Sequence, residues 1–163
     1  MIYRNFWLML LMFACLGLTA ACSMLPRVRI IDDPLNKEEH FNLGMAYEKN
    51  GELELAEREY RLALPRAEAA LALGNMAYQE KGDAQQAQKY YRQALASEKL
   101  PAAANNLAWL LLVERGDLSE ALKLAQLAVA EGEKRNLPAN LTENFLGTLV
   151  QIEKAIAAGR NIK

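Results

Sequence analysis

The sequence predicts an all-α fold, a solenoid of three helical hairpins followed by one further C-terminal helix. Two observations support this prediction. Helix-forming residues such as Ala, Leu, Glu and Lys dominate the chain, whereas runs of β-branched residues are almost absent. In addition, one spacing pattern occurs three times, at a period typical of stacked helical hairpins.

The recurring pattern starts at a glycine. An acid follows at +1, an alanine at +5, a tyrosine or alanine at +9, and an alanine at +12. The glycines are Gly51, Gly82 and Gly116, so the second interval is slightly longer than the first. Small residues at +5 allow two antiparallel helices to approach to about 8–10 Å near their connecting turn. Each glycine is therefore predicted to end a helix at the turn of one hairpin.

Capping signals divide each hairpin into two helices. An Asn or Asp three residues before Glu or Gln, which is typical of a capping box, occurs at Asn36/Glu39, Asp83/Gln86 and Asp117/Glu120. Prolines 65, 101 and 138 stand where other helices are predicted to begin, since the first helical position needs no N–H. The predicted helices span about 36–49, 52–64, 67–81, 83–97, 101–115 and 117–131.

The pattern resembles the tetratricopeptide repeat. The first copy carries that motif as Leu43, Gly44, Tyr47, Gly51, Ala56, Tyr60 and Ala63. The resemblance covers about residues 36–130 and implies a right-handed solenoid whose first helices line a concave groove for a protein partner. It divides residues 36–135 into repeats at about 36–65, 66–99 and 101–135.

The register of the first helix stays open in the second and third copies of the pattern. Leu43-Gly44 begins eight residues before its turn glycine, whereas Leu73-Gly74 and Leu107-Ala108 begin nine residues before theirs. The first helices of the second and third copies are therefore predicted to carry one extra residue.

Nine residues are assigned to the partner-binding groove by the resemblance. The alternative is that Met45, Met76 and Trp109 fill the core between hairpins. No lysine or arginine lines up with Asn105 to bind a carboxylate terminus, so a hydrophobic or amide-rich peptide is the predicted ligand. The nine residues are Phe41, Met45, Glu48, Ala72, Met76, Gln79, Asn105, Trp109 and Leu112.

Residues 138–158 are predicted to form a last helix. A solenoid end exposes apolar surface and needs a cap, so we predict a capping helix, with docking to a partner as the alternative. Leu146-Gly147 is similar to the Leu-Gly of the first helices. The predicted apolar stripe comprises Leu141, Phe145, Leu149, Ile152 and Ile156.

The N-terminal segment from Met1 to Cys22 predicts export and lipidation. The uncharged apolar run 6–21 is shorter than the roughly 20 residues of a membrane-spanning helix, and Ala20-Ala21-Cys22 is similar to the lipobox of bacterial lipoproteins. We expect a lipoprotein signal peptide over 1–21, acylation of Cys22, and a tether over 22–35. By resemblance to the bacterial sorting rule, Ser23 indicates the outer membrane, facing the periplasm. The alternative is an uncleaved signal anchor.

Residues that carry enzyme chemistry are scarce. Both cysteines, Cys15 and Cys22, lie in the N-terminal segment, and His40, the only histidine, has no second metal ligand at helical spacing. The serines lack a nucleophile elbow and the glycines form no phosphate loop. A net charge of −1 without a basic stripe argues against nucleic-acid binding. We interpret the acidic residues of the second helix as a solvated face, namely Glu52, Glu54, Glu57 and Glu59.

These observations predict a non-enzymatic scaffold in the cell envelope that is membrane-anchored, faces the periplasm and binds a protein partner. No cofactor, metal or small-molecule substrate is expected. A narrower alternative is a pilotin-like assembly factor for an outer-membrane secretion, pilus or polysaccharide-export channel. The remaining alternatives are a self-associating structural protein and a small-molecule binder.

Overall fold

The computed structural model describes residues 33–159, and within that range the chain forms seven α-helices and no strand. The predicted all-α fold is therefore confirmed. The signal peptide, Cys22 and most of the tether lie outside the described residues. The helices are α1 (Lys37–Lys49), α2 (Leu53–Ala63), α3 (Ala67–Gln79), α4 (Ala84–Ser97), α5 (Pro101–Val113), α6 (Leu118–Lys134) and α7 (Ala139–Ala157).

The helices pack as three successive hairpins. Helix α1 pairs with α2, α3 with α4, and α5 with α6, while α7 packs on α6 and α5. The +5 alanines Ala56, Ala87 and Ala121 are completely buried. This burial agrees with the close approach that the small side chains predict near each turn.

A glycine–tyrosine contact sets the register of the first two hairpins. A Cβ atom on Gly44 would lie 2.6 Å from the ring of Tyr60, and one on Gly74 would lie 2.5 Å from the ring of Tyr91. In close-packed interiors no side chain has room to overlap another in this way. Glycine is therefore required where each tyrosine ring crosses the first helix.

The extra residue of the later copies lies in the turns, so its predicted place in the first helices is wrong. With Gly74 aligned on Gly44, the turn between the helices has three residues in the first hairpin (50–52) and four in the second (80–83) and third (114–117). Ala108 and Ala125, both completely buried, occupy the equivalent places in the third hairpin. The register is thus counted from the Leu-Gly or Leu-Ala pair rather than from the turn glycine.

The third turn differs from the other two in its left-handed residue. Gly51 and Gly82 have φ values of 79° and 63°, but in the third turn Arg115 takes φ 54°. The prediction that Gly116 ends its helix in the same way is wrong. A Cβ atom on Gly116 would lie 2.8 Å from Leu111 Cδ2, so glycine leaves room there for the leucine side chain.

Only the first predicted capping box is complete. The side chain of Asn36 accepts the N–H groups of Glu38 and Glu39, and the Asn36 N–H donates to Glu39 Oε2 at 2.7 Å. Asp83 and Asp117 cap α4 and α6, but the predicted return bonds from Gln86 and Glu120 do not form. The carboxylate of Glu120 instead accepts two hydrogen bonds from Arg92 of α4.

The last helix buries a stripe that differs from the predicted one. Phe145, Thr148, Ile152 and Ala155 are buried, whereas Leu141 is 42% exposed. The placement of Leu141 in the buried stripe is therefore wrong, because Thr142 and Phe145 are the side chains that pack at Gly132 of α6. None of the helices within residues 33–159 has the length and apolar character needed to cross a membrane.

Candidate functional site

A cavity of about 540 Å³ lies among α3, α4, α5 and α7, and we call it the amide cavity. Among residues 33–159, its lining contains amides, aromatic rings and a threonine hydroxyl but no charged side chain. Pockets of about 300–1,000 Å³ are the usual size of ligand sites. The lining residues are Tyr78, Gln79, Tyr91, Asn105, Asn106, Trp109, Leu110, Asn144, Gly147, Thr148 and Gln151.

Hydrogen bonds between side chains connect the helices around this cavity. Asn75 Oδ1 accepts from the Tyr91 hydroxyl at 3.0 Å and from Asn106 Nδ2 at 2.9 Å. Asn105 Nδ2 donates to Asn144 Oδ1 at 3.2 Å. The network therefore holds α3, α4, α5 and α7 at one site through uncharged groups.

One acceptor of this network is left over. Asn105 is only 6% exposed, and among the described residues its Oδ1 has no hydrogen-bond partner. A buried acceptor without a donor costs about 1–3 kcal/mol, and such groups are rare in native proteins. Its Oδ1 atom has almost no accessible surface, so the protein encloses this acceptor and does not expose it to the cavity.

Aromatic rings form the apolar part of the cavity. Tyr78 and Trp109 meet edge to face, with ring centroids 5.5 Å apart and an interplanar angle of 87°. Trp109 is 36% exposed, so its ring can contact a ligand. Burial raises the pKa of Tyr91 from 10.0 to about 12, so its hydroxyl can donate to Asn75 well into the alkaline range.

The predicted groove residues are divided among several environments. Gln79, Asn105 and Trp109 line the amide cavity. Met76 is buried in the core, as the alternative interpretation proposed for it, and Ala72 is half-buried beside it. Leu112 lines a second cavity of about 640 Å³, together with Val113, Arg115, Gly116, Leu118, Gln151 and Gly159.

The three groove residues predicted from the first hairpin lie away from the amide cavity. Phe41 packs against Tyr60 with ring centroids 5.7 Å apart, and the Arg66 guanidinium lies 5.5 Å from the Phe41 ring centre. Met45 is 44% exposed. Glu48 accepts a hydrogen bond from the Tyr60 hydroxyl. Burial and this carboxylate both raise the pKa of Tyr60.

Two residues of the site, Asn75 and Tyr78, were missed because of the register. The groove positions of the second copy were counted from Gly82. Counted from Leu73-Gly74, as the packing requires, the equivalents of Met45 and Glu48 are Asn75 and Tyr78. The Leu73-Gly74 pair could have given these positions from the sequence. Only the contact between Gly74 and Tyr91 shows that the count starts at this pair and not at Gly82.

His40 lies in a buried polar pair. Its Nδ1 lies 2.8 Å from Glu59 Oε2, and both residues are more than nine-tenths buried. The interpretation of Glu59 as part of a solvated face is therefore wrong. Glu57 is also partly covered, and its hydrogen bond to Lys81 at 2.7 Å lowers the pKa of its carboxyl group. In the part of the chain that the structure describes, no group of three or more His, Cys, Asp or Glu side chains could hold a metal ion.

Comparison with protein families agrees with this geometry. A family model described as Tetratricopeptide repeat matches residues 71–136, from within α3 to just beyond α6. The match supports tetratricopeptide repeats in this part of the chain. Such repeats are typically non-catalytic and form scaffolds that bind other proteins. The comparison with curated proteins found no match.

Proposed function

We propose that this tetratricopeptide-repeat protein is a membrane-anchored scaffold that holds a segment of a partner protein in the amide cavity. The observation that supports this most is an exposed tryptophan, Trp109, in a cavity lined by amide side chains. Tryptophan is frequent among the residues that dominate protein interfaces. The buried network behind it fixes the lining before a partner arrives, which reduces the entropy lost on binding.

The proposed location is the periplasmic face of the outer membrane, with Cys22 as the anchor. Its support comes from the apolar segment, the small residues before Cys22, and Ser23 after it. The tether after Cys22 can reach at most about 43 Å when fully extended, so the repeats would stay near the membrane surface. Incorporation of labelled palmitate in the wild type and its loss in Cys22→Ala would support the anchor. Equal labelling of both would refute it.

A co-purification experiment tests the scaffold itself. The tagged full chain is recovered from detergent-solubilised membranes of the cells that produce it, and the proteins bound to it are identified. Trp109→Ala should reduce recovery of the partner, whereas Met45→Ala, a similarly exposed change outside the amide cavity, should not. Equal recovery with wild type and Trp109→Ala would refute binding at this cavity.

An assembly role for a secretion, pilus or polysaccharide-export channel is a narrower form of the same proposal. A channel component should then be the recovered partner, and deletion of the gene should impair oligomerisation of that channel. Normal oligomerisation in the deletion strain would reject this role and leave the general scaffold intact.

Exposed apolar residues on α7 favour self-association as a second candidate. Leu146 and Val150, four residues apart on one face of α7, are 45% and 43% exposed, and neighbouring apolar residues on a surface often mark interfaces. Sedimentation of the full chain in detergent should show an oligomer that Leu146→Glu dissociates. A monomeric wild type would exclude this candidate.

A further inference from the structure

We propose that α7 acts as the first helix of a fourth hairpin whose second helix is supplied by a partner protein. The docking surface is the side of α7 formed by Glu143, Leu146, Gly147 and Val150, and we call it the α7 face. Among residues 33–159, the lining of the amide cavity includes Gly147 but neither Leu146 nor Val150. The inference therefore goes beyond the proposed function and does not depend on binding in that cavity.

The first hairpin shows which side of a first helix its second helix covers. Helix α1 packs mainly on α2, so the residues that α1 buries define that side. His40 and Gly44 are buried, and Leu43 and Tyr47 are half-buried. In the second and third hairpins all residues at the corresponding positions are buried, namely Ala70, Leu73, Gly74, Ala77, Ala104, Leu107, Ala108 and Leu111.

The corresponding side of α7 is uncovered. Counted from the Leu146-Gly147 pair, the four positions are those of the α7 face, and all four residues are exposed. Leu146 is 45% exposed, whereas Leu73 at the same position of α3 is 1% exposed. Helix α7 packs on α6 and α5 and buries other residues, namely Phe145, Thr148, Ile152 and Ala155. It is therefore oriented as a first helix with its hairpin side facing outward.

The residue at the glycine position indicates what the partner helix carries opposite it. At Gly44 and Gly74, a tyrosine ring of the second helix fills the space that a side chain would need. Where the third hairpin has Ala108 instead, its second helix has Ala125. A Cβ atom on Gly147 would meet no atom within 4 Å, although glycine inside a helix is less stable than alanine. Gly147 thus leaves the space that an aromatic ring requires.

The second helices also share small residues that the partner helix should have. Each has an alanine four residues before the residue that meets the first helix and another three residues after it. Small side chains allow two helix axes to approach closely. All six alanines are completely buried, and they are Ala56, Ala63, Ala87, Ala94, Ala121 and Ala128.

Glu143 adds a requirement for charge. It occupies the position of His40, whose Nδ1 lies 2.8 Å from Glu59 Oε2. Glu59 directly precedes Tyr60, so the residue that faces Glu143 should directly precede the aromatic residue of the partner helix. A carboxylate covered by an interface needs an opposite charge or hydrogen-bond donors. The partner segment is therefore an amphipathic helix with lysine or arginine before its aromatic residue.

A synthetic helix provides the probe. It has the sequence of residues 83–98, which form α4 with its capping residues, and it carries Tyr90→Arg to face Glu143. A hydrocarbon staple on its outward side keeps it helical, because isolated helices of this length are marginal in water. Fluorescence anisotropy measures its binding to the full chain in detergent micelles. We expect saturable binding to the wild type.

Two exposed leucines on α7 give a matched pair of variants. Leu146→Ala should weaken binding of the probe about fivefold or more, because a leucine that the probe covers is truncated. Leu141 is exposed to a similar degree, at 42%, but lies on another side of the helix. Leu141→Ala should therefore leave the affinity unchanged.

Gly147→Ala is the decisive variant because its two effects have opposite signs. It should stabilise the free protein, since alanine favours a helix, yet weaken binding of the probe about tenfold, because the new methyl group occupies the place of the ring. A probe that also carries Tyr91→Ala copies the alanine pair of the third hairpin. It should bind the wild type more weakly but lose little further affinity for Gly147→Ala. Misfolding cannot produce this combination.

Reversal of charge tests the contact with Glu143. Glu143→Lys should weaken binding of the probe about fivefold or more, since two like charges then face each other. A probe with Tyr90→Glu in place of Tyr90→Arg should bind Glu143→Lys more tightly than it binds the wild type. Equal affinities in all four combinations would overturn the requirement for a basic residue.

Three other results would overturn the inference as a whole. One is absence of binding, or equal affinity of the probe for wild type and Gly147→Ala. Another is loss of binding in Trp109→Ala, which would place the probe in the amide cavity. The last is a wild-type oligomer that Leu146→Glu dissociates, which would show that a second copy covers the α7 face. Recovery of a partner that depends on Trp109 tests the amide cavity separately, so either proposal can fail alone.

Discussion

The first and second hairpins share one packing contact and differ in their polar groups. In both, a buried tyrosine ring lies against a glycine of the first helix, Tyr60 on Gly44 and Tyr91 on Gly74. The Tyr60 hydroxyl donates to the carboxylate of Glu48, whereas that of Tyr91 donates to the amide of Asn75. The two copies therefore share the glycine–tyrosine packing contact but differ in the group that accepts the tyrosine hydroxyl.

The two hairpins also differ in how far their polar contacts extend. In the first hairpin the buried polar groups satisfy one another locally, as in the pair of His40 and Glu59. In the second, the network continues through Asn106 to α5 and α7 and ends at an acceptor without a partner, Asn105 Oδ1. The buried pair of the first hairpin is therefore local, whereas the amide network of the second hairpin extends to later helices.

The largest expected effect on stability comes from the buried pair of His40 and Glu59, which belongs to the first hairpin. His40→Ala should destabilise the protein by about 3 kcal/mol, because Glu59 remains buried without its main partner. The equivalent position of the second hairpin is Ala70, which is completely buried, so no such pair exists there. Denaturant unfolding measures the loss. The double variant His40→Leu/Glu59→Leu should recover most of it, and no recovery would contradict this account of the pair.

The next prediction breaks the contact that the hairpins share. Gly44→Ala and Gly74→Ala should each cost about 2 kcal/mol, since the new methyl group overlaps a buried tyrosine ring by more than the gain in helix propensity can offset. Gly147→Ala is the control, because it adds a methyl group in open space and should stabilise by up to about 1 kcal/mol. Equal melting temperatures for all three variants would disprove the proposed register.

Removal of the Tyr60 and Tyr91 hydroxyls should lower the stability by different amounts. Tyr91→Phe should cost about 1 kcal/mol, because a buried hydrogen bond to Asn75 is lost. Tyr60→Phe should cost less, about 0.5 kcal/mol, because the exposed carboxylate of Glu48 regains water. Chemical denaturation of both variants gives the comparison, and a larger loss for Tyr60→Phe would reverse the ranking of the two networks.

The smallest expected effect is a pH dependence of stability through Tyr91, which is absent at neutral pH and arises only in alkali. The folded-state pKa of Tyr91 is about 12, against an ordinary value of 10.0. Between these values the unfolded chain releases the proton while the folded chain keeps it, so the free energy of unfolding should fall as pH rises from 10 to 12. The decline should be shallower in Tyr91→Phe. Identical pH profiles for wild type and variant would show that burial does not perturb this hydroxyl.

Ion pairs between neighbouring hairpins contribute little to the contrast. Lys81 pairs with Glu57 across the first and second hairpins, and Arg92 pairs with Glu120 across the second and third. Exposed pairs of this kind are worth about 0–1 kcal/mol. They therefore contribute a similar, small amount of stability at both junctions between hairpins.

The sequence by itself determined the fold class and the hairpin packing. Alanines at fixed distances from each turn can do little except allow helices to approach, and Ala56, Ala87 and Ala121 are completely buried as expected. The site was only partly predictable. Gln79, Asn105 and Trp109 were assigned to a groove and line the amide cavity, whereas Asn75 and Tyr78 were missed by one position.

Only the tertiary structure decided the register, the buried pair and the open acceptor. The register depends on whether an extra residue lies in a helix or a turn, and local propensities are nearly equal for both. The pairing of His40 with Glu59 and the lone Oδ1 of Asn105 depend on which faces meet between helices distant in sequence. Spacing along one chain sets which residues share a helix face, but the partner across the interface is set by packing.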